Sequence, residues 1–186
     1  MYPVLLTLAG VVVVLGVALA VYISRQPSEF RVTRSAAIDA PPSTVFALVN
    51  DFHQWRGWSP WEKMDPSLKR TYAGSSSGEG AVYSWVGNKQ VGEGRMTIVE
   101  SRPSEFIRIK LEFFKPFQAT NEAQFTFQST GDATNVTWTM NGCSTCMFKI
   151  MGLLMNMDKM LGKNFEDGLA AMKQLAEGSA TPVGAT

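Results

Sequence analysis

The sequence predicts an α+β fold in which a curved antiparallel sheet wraps around one long C-terminal helix, preceded by a single transmembrane helix. Three observations support this: an uncharged apolar segment at the N-terminus, a series of alternating segments between residues 68 and 140, and an amphipathic stretch at 145–176. A sheet with one apolar face and a helix with one apolar stripe bury both surfaces by packing against each other. The chain of 186 residues is long enough for one such domain and an appendage.

The N-terminal appendage is predicted to be a membrane anchor. Residues 1–24 carry no charged side chain, and residues 4–23 are almost entirely apolar. At a rise of about 1.5 Å per residue, this stretch spans the roughly 30 Å hydrocarbon core of a bilayer. The sequence Ala18-Leu19-Ala20 resembles a signal-peptide cleavage site, but no Lys or Arg precedes the apolar stretch, which is also longer than the core of a signal peptide. We therefore expect an uncleaved anchor at 1–24 that crosses the membrane through residues 4–23, followed by a linker at 25–29.

The charges around the apolar stretch predict its orientation. Arg25, Arg31 and Arg34 follow it, whereas the short tail before it is uncharged. Lys and Arg are enriched on the cytoplasmic side of membrane helices. We expect a single-pass membrane protein whose soluble domain, residues 30–176, lies in the cytoplasm.

The first part of the domain is predicted to form one strand and two short helices. Residues 30–38 alternate weakly between apolar and polar, and Pro41-Pro42-Ser43-Thr44 is typical of a helix start. A second short helix or turn is expected at 51–55. Residues 55–61 carry three Trp interrupted by a Gly and a Pro, which favours an aromatic loop.

The middle of the chain predicts consecutive strands. The clearest alternation is at 105–113, where Ile107, Ile109, Leu111 and Phe113 alternate with charged residues. Such a strand has one buried and one wet face, as in an antiparallel sheet. Further strands are expected at 81–86, 92–100, 118–128 and 135–140.

The last element is predicted to be a helix at 145–176 with one apolar stripe. Gly152, Gly162 and Gly168 each weaken it by about 1 kcal/mol relative to Ala. Tertiary packing must therefore hold the helix in place. The tail at 177–186 is expected to be disordered.

Composition excludes several classes of function. The net charge is +1 and the basic residues form no cluster, so we expect no nucleic-acid partner. The chain has no Ser/His/Asp set, P-loop or dinucleotide fingerprint, so we expect no catalytic set and no cofactor. Cys143 and Cys146 form a Cys-x-x-Cys pair, interpreted first as incidental thiols, with a disulfide, redox pair or metal site as the alternatives. A zinc site needs about four ligands, and a metal is not expected.

The candidate binding residues are bulky apolar side chains predicted to line the concave face of the sheet, its helix and the aromatic loop, together with one carboxylate. In the functional interpretation they surround an apolar ligand, with the Trp loop as a mouth or lid. In the alternative they form an ordinary packed core, with the Trp loop as a structural plug. The set comprises Trp55, Trp58, Trp61, Tyr83, Trp85, Glu93, Phe113, Phe125, Trp138, Met140, Met151 and Met155.

Three ionisable residues are the candidates for chemistry inside such a cavity. Glu93 lies between two glycines that permit close backbone approach, so its carboxylate is a candidate to face the cavity, although the favoured interpretation is a solvent-facing strand residue. Asp158 falls beside the apolar stripe of the last helix, where it pairs with an Arg, caps the helix or meets a ligand. His53 is the one histidine of the chain, and a general base needs a partner that the sequence does not identify.

Several motifs resemble the START-like or SRPBCC superfamily, and in particular its polyketide cyclase/dehydrase-like branch of bacterial proteins. The matching segments are Ile38-Asp39-Ala40-Pro41-Pro42-Ser43-Thr44-Val45-Phe46, Trp58-Ser59-Pro60-Trp61, Gly78 to Trp85, Gly92 to Gly94 and Met155 to Glu166. The resemblance covers residues 30–176 and implies the helix-grip fold, also called Bet v 1-like, with an apolar cavity. Members include lipid carriers, hormone receptors, aromatic cyclases, ring-hydroxylase subunits and chaperone activators, so the fold does not imply one function.

Three functions remain open from the sequence. The first is a membrane-anchored domain that binds a hydrophobic or lipid-like small molecule without catalysis. The second is a cyclase or dehydrase acting on an aromatic or polyketide-like substrate. The third is an interaction module that docks another protein near the membrane. The sequence does not determine the oligomeric state.

Overall fold

The computed structural model describes residues 29–143 and 157–179, together with residues 10, 16–18, 21–22 and 25. Its elements are β1 (Glu29–Ile38), α1 (Pro42–Asn50), a 3₁₀ turn (Phe52–Gln54), α2 (Trp55–Trp58), α3 (Pro60–Met64), β2 (Lys69–Gly74), β3 (Ala81–Val86), β4 (Glu93–Arg102), β5 (Phe106–Lys115), β6 (Ala119–Thr130), β7 (Ala133–Cys143) and α4 (Met157–Ser179). This confirms the predicted order of a strand, short helices, consecutive strands and a C-terminal helix, with β2 as a strand for which no separate bounds were predicted.

The seven strands form one curved antiparallel sheet in the order β1-β7-β6-β5-β4-β3-β2. Consecutive strands from β2 to β7 are neighbours, and β1 pairs with β7. Because all neighbouring strands are antiparallel, strands that begin at a given end of the sheet alternate with strands that end there. We call the end where β1, β2, β4 and β6 begin the proximal end, and the opposite end the distal end.

The concave face of the sheet carries the core. The period-two alternation predicted for β5 is confirmed, since Ile107, Ile109 and Leu111 are buried while Lys110 is exposed. The same alternation continues across the sheet through directly paired residues such as Phe125 and Trp138. Burying one face of every central strand is what fixes the pairing register.

Helix α4 lies against the concave side of β1 and runs in the same direction. Near its start, Asp158 bonds to Arg34, and near its end, Lys173 donates to the carbonyl oxygen of Ala37 at 2.9 Å. Two of the glycines predicted to weaken this helix lie where sheet side chains approach it. A Cβ on Gly168 would lie 3.0 Å from Cζ3 of Trp138, and one on Gly162 would overlap the guanidinium of Arg34.

The structure corrects two element predictions. The segment 55–61, expected as a loop, contributes to two short helices, because Pro60 occupies the first turn of α3, where its missing N–H and fixed φ are tolerated. Gly57 is accepted within α2 because the side chain of Leu175 packs over it. The helix α4 continues to Ser179 rather than 176, so residues 177–179 are not part of a disordered tail.

The predicted membrane anchor depends on residues 4–23, of which the structure describes only a few, each helical and exposed. Within the described part of the chain, no helix has the length and apolar character needed to cross a bilayer.

Candidate functional site

An apolar row of paired residues crosses the concave face near the proximal end. It runs through Tyr83, Met96, Leu111, Asn121, Gly142 and Phe30. Behind it lies a second row that includes Ile98, Ile109, Ala123, Met140 and Val32. The first row holds one amide side chain, that of Asn121, among otherwise mainly apolar neighbours. This face is the candidate surface for an apolar ligand.

Several predicted site residues form a packed aromatic cluster under α4. The indole of Trp138 lies between Phe125, at a centroid distance of 4.9 Å, and Phe165 of α4, at 4.1 Å and nearly parallel. Edge-to-face contacts join Trp61 to both Trp138 and Phe165. Such pairs stabilise beyond the apolar area that they bury. The geometry of these residues is that of a packed core.

The Trp-rich segment packs into the domain and closes the core. Trp58 is 1% exposed and donates its indole N–H to the carbonyl oxygen of Leu48, while Trp55 donates to that of Val49. Both acceptors lie on α1, so the two indoles tie α2 to α1. This arrangement matches the plug that the sequence offered as the alternative to a lid, and a role in ligand contact stays a prediction.

Toward the β2 edge of the sheet, Trp85 lies flat over the backbone of Gly94. A Cβ at Gly94 would collide with the indole ring, so the glycine makes room for it. Trp85 donates to the carbonyl oxygen of Val91 at 3.0 Å and meets Phe113 edge-on at 5.8 Å. Gly94 therefore accommodates an indole, whereas the space at Gly92 is limited by the carbonyl of Lys115.

A buried polar cluster that the sequence did not predict lies beside Tyr83. The Glu62 side chain of α3 is only 6% exposed, accepts from the Tyr83 hydroxyl at 2.5 Å and pairs with Arg70 of β2 at 2.6 Å. Burial first, and then the bond to Glu62, raises the pKa of Tyr83 far above its ordinary value. Burial also raises the pKa of Tyr72, which pairs with Tyr83 across β2 and β3. No sequence signal joins Glu62 to Tyr83, because only the packing of α3 onto the sheet brings them together.

Three buried polar atoms of inward-facing side chains have no hydrogen-bond partner in the described part of the chain. They are the Tyr72 hydroxyl, the Trp138 indole nitrogen and the Asn121 amide oxygen. Leaving one such atom unpaired costs about 1–3 kcal/mol, which a suitable ligand group recovers on binding. The most informative of the three is the oxygen of Asn121, because Asn121 also borders an opening.

That opening is a shallow, open depression of about 620 Å³ at the proximal end. Most of its lining residues, among them Arg31, Lys110, Glu122 and Asn141, belong to the outward parity of their strands, and only Phe30, Asn121 and Gly142 belong to the inward parity. The second depression, of about 410 Å³, lies on the outer side of α1. None of the predicted aromatic site residues lines either depression.

The three ionisable candidates lie at the surface and are paired there. Glu93 bonds to Lys115 at 2.8 Å, and Asp158 bonds to Arg34. The His53 side chain is about half exposed. Its Nδ1 shares a hydrogen bond with Oδ1 of Asp51 at 2.7 Å, and its ring stacks on Tyr72. The Arg34 guanidinium lowers the pKa of Asp158, which keeps that carboxyl charged. These positions do not support acid–base chemistry by these three residues in the core.

Some predictions concern residues outside those described. Met151, Met155 and Cys146 fall there, and only the backbone of Cys143 is described, at the end of β7. Among the described residues, no group of three or more His, Cys, Asp or Glu could hold a metal ion. The role of the two cysteines stays a prediction.

Comparison with known families assigns the fold. The sequence profile of the family described as polyketide cyclase/dehydrase and lipid transport matches residues 29–177. The chain belongs to this family. The resemblance proposed from the motifs is confirmed at the level of the superfamily.

Solved structures similar to this polyketide cyclase/dehydrase and lipid transport domain share its fold at low identity. Protein CV1439 from Chromobacterium violaceum is 14% identical, with a TM-score of 0.57 over 82% of this chain and 99% of its own. TTHA0849 from Thermus thermophilus is 19% identical, with a TM-score of 0.55 over 82% and 100%. DynU16, a protein of the dynemicin biosynthetic locus, is 15% identical, with a TM-score of 0.55 over 80% of this chain and 48% of its own. No protein with curated annotation matches the chain.

Membership confirms the helix-grip architecture and a general link to hydrophobic ligands. Because family folds of this kind serve many functions, the ligand and any reaction depend on the particular side chains of the concave face.

Proposed function

We propose that the domain binds a hydrophobic or lipid-like small molecule on the concave face, while residues 4–23 anchor it in a membrane as a single-pass protein with the domain in the cytoplasm. The family description includes lipid transport, and the concave rows around Leu111 and Met140 are apolar. Apolar walls with a few placed polar groups are typical of small-molecule sites. The anchor raises the local concentration of the domain where such ligands partition.

The observation that carries the proposal is the unpartnered amide oxygen of Asn121. It is buried beside Gly142 and Phe30, and all three residues line the proximal depression. A ligand that donates one hydrogen bond to this oxygen satisfies it, while its apolar body covers Leu111 and Met140. The proposed ligand is therefore mainly apolar with one hydroxyl, amide or protonated acid group.

The full chain purified in lipid nanodiscs provides the test. Native mass spectrometry is expected to find an apolar compound bound to the wild type, and organic extraction releases it for identification. Asn121→Ala is expected to weaken retention about tenfold, the effect of losing about 1.4 kcal/mol. Without ligand, the free energy of unfolding of Asn121→Ala should equal or exceed that of the wild type, because the variant removes an unsatisfied buried acceptor.

Asn135→Ala is the matched control. Asn135 lies on the neighbouring strand β7, belongs to the opposite parity, pairs with Ala37 and Gln128, and lines neither depression. This variant should retain the compound like the wild type. A wild type that purifies empty and binds nothing from a library of lipids and aromatic compounds would overturn the proposal, as would equal retention by both variants.

An enzyme of the cyclase or dehydrase kind is the second candidate function, favoured by the cluster of Glu62, Tyr83 and Arg70. A buried carboxylate in contact with a phenol is able to relay a proton to a ligand, with the Arg side chain stabilising negative charge. The hydroxyl of Tyr72, which pairs with Tyr83 across β2 and β3, has no partner in the described part of the chain and is left for a substrate.

Comparing bound compounds separates the two candidates. If the cluster catalyses a reaction, Glu62→Gln retains the substrate, and the compound extracted from it differs in mass from that of the wild type. If the domain only binds, both proteins release the same compound. Glu79→Gln, in the exposed turn between β2 and β3, serves as the control and should match the wild type.

A further inference from the structure

The end of β5 and the turn that follows it expose two phenylalanines. Phe114, at the end of β5, is 46% exposed, and its ring centroid lies 5.8 Å from Cζ of Arg95. Phe117, in the turn, is 42% exposed. We call residues 114–118 the hairpin tip. Neighbouring exposed aromatic rings mark a contact surface rather than a solvated loop. Phe rings beside a Lys are also typical of segments that enter the boundary of a lipid bilayer.

The hairpin tip lies at the proximal end, where the N-terminal apolar segment joins the domain. The register connects them directly: Glu29 pairs with Cys143, and Asn121 near the start of β6 pairs with Gly142. Three strand spacings of about 4.8 Å separate β1 from β5, so the tip lies about 15 Å to the side of Glu29. The same register places Phe117 about three residues, or roughly 10 Å, beyond the level of Glu29.

The linker length agrees with this geometry. Residues 24–28 between the apolar stretch and β1 extend at most about 17 Å. A bilayer that holds residues 4–23 therefore lies within about 17 Å of the level of Glu29, and the tip reaches roughly 10 Å in that direction. No rearrangement of the sheet is needed for the two rings to arrive at the membrane surface.

Charge also distinguishes the two ends. Exposed lysines at the proximal end include Lys69, Lys89 and Lys115, offset in part by exposed Glu29 and by Glu93, which pairs with Lys115. The exposed acidic residues of the distal turns are Asp39, Glu79, Glu105 and Asp132, offset in part by Arg102 and by Lys173, which lies beside Asp39. The cytoplasmic leaflet carries anionic lipids that attract basic and repel acidic groups. This polarity favours the proximal end as the one that faces the lipid.

We propose that the hairpin tip inserts Phe114 and Phe117 into the interface of an anionic bilayer, and so turns the proximal depression toward the membrane. The inference rests on the proposed anchor at residues 4–23 but not on the identity of a ligand. It supplies a second attachment point, which restrains the domain that the short linker would otherwise allow to swing. It also places Asn121 and Phe30 next to the lipid from which a ligand would come.

Site-specific fluorescence tests the proposed insertion. The full chain, carrying Cys143→Ser and Cys146→Ser, receives a single label through Gln118→Cys at the tip or Asp132→Cys at the distal end. Each protein is reconstituted in vesicles of phosphatidylcholine with about 30% phosphatidylserine and nitroxide-labelled lipids. The label at 118 is expected to shift to the blue and to lose at least about half of its emission to nitroxides near the interface. The label at 132 should keep the emission of a water-exposed dye.

A tip variant and an extraction assay make each outcome decisive. Phe114→Ser with Phe117→Ser should remove most of the quenching at 118 while leaving thermal unfolding unchanged, because both rings are exposed. Equal quenching at 118 and 132, or a blue shift at 118 without quenching by lipid nitroxides, would overturn the insertion. If the chain resists alkaline extraction but the label at 118 shows either of these outcomes, the proposed anchor is supported and only the tip contact is ruled out. If alkali releases the chain from the vesicles, the anchor itself fails, and the insertion that rests on it fails too.

Discussion

Arg34 of β1 holds Asp158 of α4 through both carboxylate oxygens, at 3.1 Å from Nη1 to Oδ1 and 3.1 Å from Nη2 to Oδ2. The same guanidinium reaches Glu166, two turns further along the helix, at 2.8 Å. Gly162 lies between the two acids, where any Cβ would occupy the space of the guanidinium. One arginine thus fixes the position of α4 along β1. This contact requires a glycine in the helix interior, because a side chain at that position would occupy the space of the guanidinium.

The first prediction concerns Gly162→Ala. Ala is the better helix former by about 1 kcal/mol, yet its methyl group displaces Arg34 from both carboxylates. We expect the single variant to be less stable than the wild type. In an Arg34→Ala background the same change should raise the free energy of unfolding by about 1 kcal/mol, because only helix propensity remains. Urea unfolding of the detergent-solubilised chain, followed by tryptophan fluorescence, measures both.

Gly178→Ala is the control for this reversal of sign. A Cβ at Gly178 would have open space around it, so the change should have the same small effect in either background. A stabilising Gly162→Ala with Arg34 present would contradict the prediction.

The second prediction concerns the stacked pair of Trp138 and Phe165. Phe165 is fully buried, and truncating a buried Phe to Ala costs about 3–5 kcal/mol. A domain has only about 5–15 kcal/mol to lose, so Phe165→Ala should be close to unfolded at 37 °C. Phe117→Ala, at the exposed tip, should change stability by less than about 0.5 kcal/mol. Equal losses for the two variants in thermal unfolding would show that Phe165 does not support the core.

The third prediction is a loss of stability in acid through Asp65. The Asp65 carboxylate is buried and accepts from the Ser67 hydroxyl and the backbone N–H of Asn88, and these bonds lower its pKa from the ordinary 3.8. A lowered folded pKa gives stability that is present above 3.8 and is lost as the pH falls through the folded value. Asp65→Asn should therefore be less stable at pH 7 and show a shallower decline below about pH 4.

Melting temperatures measured from pH 7 to strongly acidic pH test this. Some decline should remain in Asp65→Asn, because Lys110 and Arg95 also lower the pKa of Glu112. Asp132→Asn, in an exposed turn, should follow the wild type. A decline in Asp65→Asn as steep as in the wild type would count against the role of Asp65.

The fourth prediction concerns alkali and Tyr83. Burial and the bond to Glu62 raise its pKa, so its contribution is complete below the unfolded value near 10 and is lost as the pH rises through the folded value. Tyr83→Phe should cost about 1.5–3 kcal/mol at pH 7, the worth of a hydrogen bond to a charged group, yet lose less stability between neutral and alkaline pH than the wild type. Ultraviolet titration of tyrosinate during unfolding, compared between the wild type and Tyr83→Phe, follows the effect. Identical alkaline unfolding curves would refute the assignment.

Most of the fold could be predicted because periodicity is a local property. The alternation of Ile107, Ile109 and Leu111 states which face of β5 is buried whatever its neighbours are. The stripe on the last helix does the same for α4. The ends of the short helices were harder to predict from the sequence. Whether Pro60 ends one helix or begins the next depends on what packs against it.

The candidate site was predicted only in part. The inward direction of Tyr83, Trp85, Phe125, Trp138 and Met140 follows from strand parity and is observed. Whether such side chains line a cavity or fill a core depends on the distance between the sheet and the helices that cover it. The alternation of residues along a strand does not specify that distance. The structure packs Trp138 between two rings, whereas Asn121, which the sequence did not single out, carries the unpartnered atom.

The amino-acid sequence by itself determined an α+β domain with one buried sheet face, one amphipathic helix and an apolar N-terminal stretch, because each depends on residues close together in the chain. Tertiary structure alone decided that Glu62 meets Tyr83 and Arg70, that Arg34 meets Asp158 across 124 positions, and that Phe117 projects at the end where β1 begins. These relationships arise from sheet order and from helices docking on it, and such long-range pairings leave no periodic signal in the chain.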